Sequence, residues 1–276
     1  MTFPFHRILL ATEHTEFDAG AERLAFELAK RCKVPLLGVL PLLSNVEYEA
    51  LAPSLVARDE KDAYARTTAL RAAASVAKVE LDLCVRRGDE PFREIVAEAE
   101  RCGADVVVVR RRGRQGFLAQ LMVGEMVGRV ATAAPCDVLL VPRAGRLWSR
   151  RVLACVDASP AARRVVETAA DIAASCKLPL LIASAAAHDT GADRARAESA
   201  LASALPVARR AGAEAEGRIV TGRAGEAIAE LAGQTGADLI VVGRVGEGGR
   251  LQRMLPGETA HRIIGLATCP VLVVKA

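Results

Sequence analysis

Apolar positions along this chain fall into two periods. Short runs that are apolar throughout, such as VVVV at residues 106–109 and LIVV at 239–242, have the length and β-branched content of strands covered on both faces. Strands are predicted at 7–12, 34–40, 79–86, 105–109 and 138–141, and again at 238–242 and 271–274. Between them the period changes to that of a helix. Phe17, Ala21, Leu24, Ala25 and Leu28 share one face of a helix predicted over about residues 16–31, and Ala162, Val165, Val166, Ala169, Ile172 and Ala173 do the same later. Pro41 and Pro53 are expected to bracket a loop, followed by a charged amphipathic helix over about 56–76. Gly88-Asp-Glu-Pro91 opens a helix that buries Phe92, Ile95, Val96 and Ala99. Pro206 is expected to end or kink a helix. Strands alternating with helices imply a parallel sheet with right-handed crossovers.

The pattern occurs twice. Residues 103–141 and 236–274 align over 39 positions without a gap, each running Gly-Ala-Asp, strand, G-x2-G-x7-G-E, helix, Cys, strand. RILLATEHTE at 7–16 matches RVLACVDASP at 151–160, and CKVPLLG at 32–38 matches CKLPLLI at 176–182. The chain is therefore read as a tandem duplication, with domains at residues 1–143 and 150–276 and a linker, PRAGRLWSR, at about 142–150. The fold class is α/β: two doubly wound, Rossmann-like domains, each with five parallel strands. In such sheets ligands bind beyond the C-terminal strand ends, where the winding reverses. If the first and fourth strands flank that point, Glu13 and Asp157 meet the two glycine loops there.

Composition narrows the functional classes. The chain has 276 residues, of which 51% are hydrophobic but only 3% aromatic, which argues against a stacking platform for single-stranded nucleic acid. Net charge is +4, with 20 basic and 20 acidic residues in positions 1–143 and 17 against 13 thereafter, too even to imply a nucleic-acid partner. Seven cysteines without C-x-x-C read as small buried hydrophobes in a reducing cytosol. Neither a secretory pattern nor a membrane-spanning run is evident, so a cytoplasmic protein is expected.

These residues resemble the universal stress protein family in its tandem form. VLACVDASP at 152–160 looks like the family's opening strand ending in Asp-Gly-Ser. DLIVVGRVGEGG followed by PGETAHRIIGLATCPVLVV is similar to its closing glycine motif, helix and strand. The resemblance implies paired fifth strands across a pseudo-two-fold axis, leaves homodimerisation open, and implies an ATP- or AMP-binding site in some members but not others. Carried onto this sequence, that site comprises Asp157, Gly243, Gly246, Gly249, Gly257, Glu258 and Thr259, with weaker first-domain equivalents Glu13, Gly113, Gly116 and Gly124. Departures are specific. Both halves have seven residues before the last glycine, two short of the family's nucleotide-binding branch. The following Ser/Thr is Glu125 or Glu258, and the glycine ending the fourth strand is Arg110 in the first half but Gly243 in the second.

The glycines could admit a phosphate to backbone N–H groups, or could form only a tight turn. A carboxylate at Glu258 favours the helix dipole and would repel phosphate, by on the order of 4 kcal/mol at ~4 Å and an effective dielectric near 20. Arg244 or Arg250 could offset it, and Thr259 is the nearest replacement hydroxyl. Asp157 reads equally as a contact to ribose or adenine and as a helix cap. Arg110, Arg111, Arg112 and Arg114 could bind an anion or form a solvated basic loop. The four histidines lack metal spacing, and no nucleophile and base are assembled, so neither a metal site nor an enzyme is expected. Two readings follow: a cytoplasmic stress-response protein sensing or sequestering an adenine nucleotide through its second domain, or an interaction protein with vestigial pockets.

Overall fold

The computed structural model describes residues 4–111, 125–244 and 257–275. In the first half, β1 (Ile8–Ala11), α1 (Ala19–Cys32), β2 (Leu36–Leu43), α2 (Val46–Leu51), α3 (Pro53–Val76), β3 (Leu81–Gly88), α4 (Pro91–Cys102), β4 (Val106–Arg110), α5 (Glu125–Ala133) and β5 (Asp137–Val141) follow in order. The second half gives β6 (Val152–Cys155), α6 (Ala162–Cys176), β7 (Leu180–Ala186), α7 (Gly191–Arg210), β8 (Ala215–Thr221), α8 (Ala224–Thr235), β9 (Leu239–Gly243), α9 (Glu258–Leu266) and β10 (Val271–Val274). One ten-stranded sheet results, ordered β3-β2-β1-β4-β5-β10-β9-β6-β7-β8. Each half is parallel throughout, and the halves join where β5 and β10 run antiparallel, Leu139 opposite Leu272. That pairing removes two open edges and leaves only β3 and β8.

The apolar runs become central strands because both faces are covered. β1, β4, β5, β9 and β10 have their hydrophobic side chains almost wholly buried. One core lies under α1, α3, α6 and α7 and another under α4, α5, α8 and α9. The Gly-Ala-Asp of each repeat is structural. Gly103 and Gly236 close α4 and α8 in the left-handed region, at φ +61° and +67°. Asp105 then accepts the N–H groups of His6 and Arg7, and Asp238 those of Ser149, Arg150 and Arg151. Each aspartate pins the chain entering the neighbouring strand.

Three local expectations need correction. Phe17 lies ahead of α1 and is 49% exposed, with Arg143 over its ring, so it leaves the helical stripe. Pro41 stands inside β2 rather than in a loop, and α2 fills part of the interval before Pro53. β1 pairs with β2 only as far as Val39, so the β1-facing side at Pro41 demands no N–H donor. Pro206 does not end α7, which continues to Arg210. The carbonyl four residues earlier belongs to exposed Ala202, where water can replace the missing bond.

Candidate functional site

The winding reverses between β1 and β4 in one half and between β6 and β9 in the other. Two equivalent crevices therefore lie beyond those strand ends, and their chemistry differs. In the first, Arg110 leaves the end of β4 and reaches across the switch point. Its guanidinium pairs with Glu13 at 2.8 Å and Asp18 at 3.4 Å, and donates to the Thr15 hydroxyl at 3.1 Å. Asp18, 1% exposed, also accepts the Thr15 N–H and hydroxyl. Behind this cluster buried Glu22 accepts from the Thr12 hydroxyl at 2.7 Å and meets His14 Nδ1 at 3.0 Å. The first crevice is thus closed by its own charges.

The repeat exchanges almost every member of that network. Thr12, His14, Asp18, Glu22 and Arg110 become Val156, Ala158, Ala162, Val166 and Gly243. Two polar groups survive, Asp157 for Glu13 and Ser159 for Thr15. Asp157 Oδ1 accepts the Ser159 N–H at 3.0 Å and the Ser159 hydroxyl. The capping half of the expectation fails: α6 begins after Ala161 with no side-chain cap. Where the first crevice holds charge, the second opens into a groove of about 510 Å³ between α6 and α7, lined by Asp157, Ser159, Ala162, Val166, Ala200 and Ser203 among others.

α9 begins beside the end of β9, where the Gly257 N–H donates to the Arg244 carbonyl at 3.0 Å, on the face of the sheet opposite α6 and α7. Gly257 is its N-cap, Glu258 and Thr259 are its first residues, and no side-chain cap is formed among the described residues. Glu258 is exposed, so it neither caps the helix nor lies buried over it. The helix is held by close approach to α8: a Cβ at Gly225 would lie 2.3 Å from Arg262 Cβ, and Arg262 pairs with Glu226 at 2.9 Å. Gly225, in the stretch Gly222-Arg-Ala-Gly225 that opens α8, therefore has a packing role. Gly113, Gly116, Gly124, Gly246 and Gly249 lie outside the described residues, as do Arg112, Arg114 and Arg250.

The arginines correct the sequence reading most. Arg110 binds the carboxylates of its own crevice. Arg111 is buried and donates to the carbonyls of Ile264 and Ala267, at the end of α9, at 2.5 Å each. Arg244, its repeat equivalent, donates to Thr132, Ala134 and Cys136 carbonyls at 3.1, 2.9 and 2.7 Å, at the end of α5. Neither forms an anion site, and Arg244 does not offset Glu258. Each half instead caps the partner half's last helix, where dipole and unpaired carbonyls favour a cation. Burial lowers the Arg111 pKa to about 10 and shifts Arg244 in the same direction. No single-residue motif signals this exchange; only the two-fold pairing of β5 with β10 brings it about.

The cysteines are free, and burial raises the thiol of each, Cys155 and Cys136 to about 12. Among the described residues no cluster could hold a metal ion, and no helix is long and apolar enough to cross a membrane.

Comparison with known proteins agrees with this architecture. The model of the Universal stress protein family matches residues 4–142 and 149–275. Universal stress protein Slr1230 of Synechocystis is 26% identical over 171 residues, 62% of this chain and 58% of that protein. Universal stress protein MJ0531 of Methanocaldococcus jannaschii is 54% identical over 48 residues, 17% of this chain and 28% of that one. The match thus spans less than two thirds of either relative's length. A universal stress protein structure from Archaeoglobus fulgidus superposes with a TM-score of 0.73, at 19% identity, covering 98% of this chain and 96% of that one. With two family matches in tandem and one fold across both, the chain belongs to the universal stress protein family.

Proposed function

We propose that this protein senses or sequesters an adenine nucleotide through its second half, and that AMP suits the site better than ATP. The observation carrying this reading is the exchange of Thr12, Asp18, Glu22 and Arg110 for Val156, Ala162, Val166 and Gly243. It removes the charges that close the first crevice and leaves Asp157 beside a groove of about 510 Å³ whose lining mixes Ala162, Val166 and Ala200 with Ser159, Arg163 and Ser203. Ala162 and Val166 offer a surface for a base, and Asp157 an acceptor for ribose or adenine donors. The N-terminus of α9, with the Thr259 hydroxyl, would receive a phosphate. Glu258 sets the preference, because each further phosphate brings charge toward its carboxylate.

The test is calorimetry of the purified chain with AMP and with ATP, alongside a search of the heat-denatured supernatant for released nucleotide. Binding that Asp157→Ala weakens is expected. Absence of both binding and released nucleotide would overturn the reading. A second reading then stands, that of a stress-response interaction protein. It is favoured by the first half's exposed Leu43, Leu51, Leu55, Tyr64 and Val76, since exposed large apolar side chains mark contact surfaces when contiguous.

A further inference from the structure

The two-fold relation between the halves is broken a second time, away from both crevices. α1 and α6 are equivalent helices, and one face of each points toward the other half. On α1 the linker covers that face. A Cβ at Gly20 would lie 2.2 Å from the Pro142 carbonyl oxygen, Arg23 donates to the Arg143 and Gly145 carbonyls, and Glu27 accepts the Leu147 N–H. Trp148 is 1% exposed at the end of this segment. On α6 the equivalents of Gly20, Arg23 and Glu27 are Arg164, Glu167 and Asp171, with Thr168 in place of Leu24. Arg164, Thr168 and Asp171 line a cleft of about 460 Å³ against His6, Asp105 and Asp137 of the first half.

The cleft is rich in unused acceptors. Asp105 gives Oδ2 to two backbone N–H groups, but its buried Oδ1 has no partner. Asp137 is 5% exposed; Oδ1 accepts the Lys275 N–H and Oδ2 is 4.0 Å from Arg164. Thr168 is 4% exposed, lines the cleft, and has a buried hydroxyl with no partner. A buried polar atom without a partner costs about 1–3 kcal/mol, so such a site favours an occupant that satisfies it. Burial raises the pKa of Asp137 and of Asp171 against the opposing pull of Arg164. Three carboxylates face a single guanidinium. Their spread does not form a cluster able to hold a metal ion among the described residues, but it suits a ligand with several N–H donors spaced along a chain.

We propose that this interdomain cleft is a binding site for a small organic cation bearing ammonium or guanidinium groups, held by Asp105, Asp137 and Asp171 with the Thr168 hydroxyl. It uses a different face of α6 from the nucleotide groove, so it does not depend on that reading. The test is calorimetric titration of the full chain with agmatine, with putrescine and with Mg²⁺. Saturable binding of agmatine or putrescine is expected, weakened about tenfold or more in Asp137→Asn and severalfold in Thr168→Val, with AMP present or absent. Thr168→Val is close in shape to the parent residue and keeps the test available should Asp137→Asn fail to fold. No binding of either organic cation at millimolar concentration would overturn the proposal. So would Mg²⁺ binding alone, or binding that both variants leave unchanged.

Discussion

The two crevices share strand order and register, yet among the described residues ion pairs cross the first and none crosses the second. The difference lies in a handful of side chains. In the first half the Arg110 guanidinium bridges Glu13 and Asp18, with Glu22 behind them, where a ligand would sit; Arg110 is 14% exposed and Asp18 1%. In the second, Val156, Ala162, Val166 and Gly243 replace those charges and leave one carboxylate, Asp157, at the mouth of the groove between α6 and α7. A duplicated fold can therefore keep its scaffold while one copy replaces the ligand's charges with its own. The scaffold depends on apolar strands, glycine caps and the strand-entry aspartates Asp105 and Asp238, none of which the exchange touches.

The strongest test of that contrast is to empty the first crevice. Arg110→Gly leaves Glu13 and buried Asp18 uncompensated. Breaking a buried pair on one side costs about 3 kcal/mol or more. Urea unfolding should show this loss, and Asp18→Ala in the same chain should recover much of it. No loss in the single variant would mean that the ion pairs of the first crevice are not what closes it. The reverse change comes next. Gly243→Arg puts a guanidinium beside Asp157 and should weaken AMP binding roughly a hundredfold, about 2.7 kcal/mol. Unchanged affinity would place the nucleotide elsewhere and remove the asymmetry from the functional argument.

How far this contrast can be read from sequence depends on the kind of residue involved. The repeat, the strand order's consequence at the switch point and the β5–β10 pairing follow from periodicity and resemblance, because buried strands and capping glycines leave strong local patterns. Arg110, Arg111 and Arg244 do not. Three adjacent arginines look alike on paper, but strand alternation sends Arg110 to its own crevice and Arg111 across the two-fold axis to Ile264 and Ala267. Thr168 is legible only as part of an apolar helical face, since its significance depends on what the opposite half places there. Pro41 and Pro206 mislead for a related reason: a neighbouring strand's end and an exposed carbonyl decide whether proline breaks an element.

The halves remain alike in the reciprocal capping, which serves as a control on the comparison. Arg244→Ala removes a guanidinium from three carbonyls at the end of α5 and should cost about 2 kcal/mol in urea unfolding. Arg111→Ala should cost a similar amount at the end of α9. A large loss in one variant and none in the other would show that the asymmetry extends from the crevices to the interface itself.

Glu258 carries the smallest expected effect and bears most directly on which nucleotide the open crevice prefers. A carboxylate held 4 Å from a phosphate in a closed site would repel it by several kcal/mol, as the sequence alone suggests. The side chain is exposed at the first position of α9 and accepts no cap bond, so water and salt screen it. The repulsion then falls to the range of a surface charge interaction, about 0.5–1 kcal/mol. Glu258→Ser should strengthen ATP binding about two- to fivefold at low salt and AMP binding less, since fewer phosphate charges lie near α9. Raising the ionic strength should narrow the difference between the variants, because an exposed pair weakens beyond a Debye length of about 10 Å at 0.1 M. A loss of ATP affinity on removing the carboxylate would reverse the assignment. Glu258 would then assist binding, as a carboxylate does when it holds Mg²⁺ against phosphate oxygens. The preference of the second crevice for AMP would fall with it.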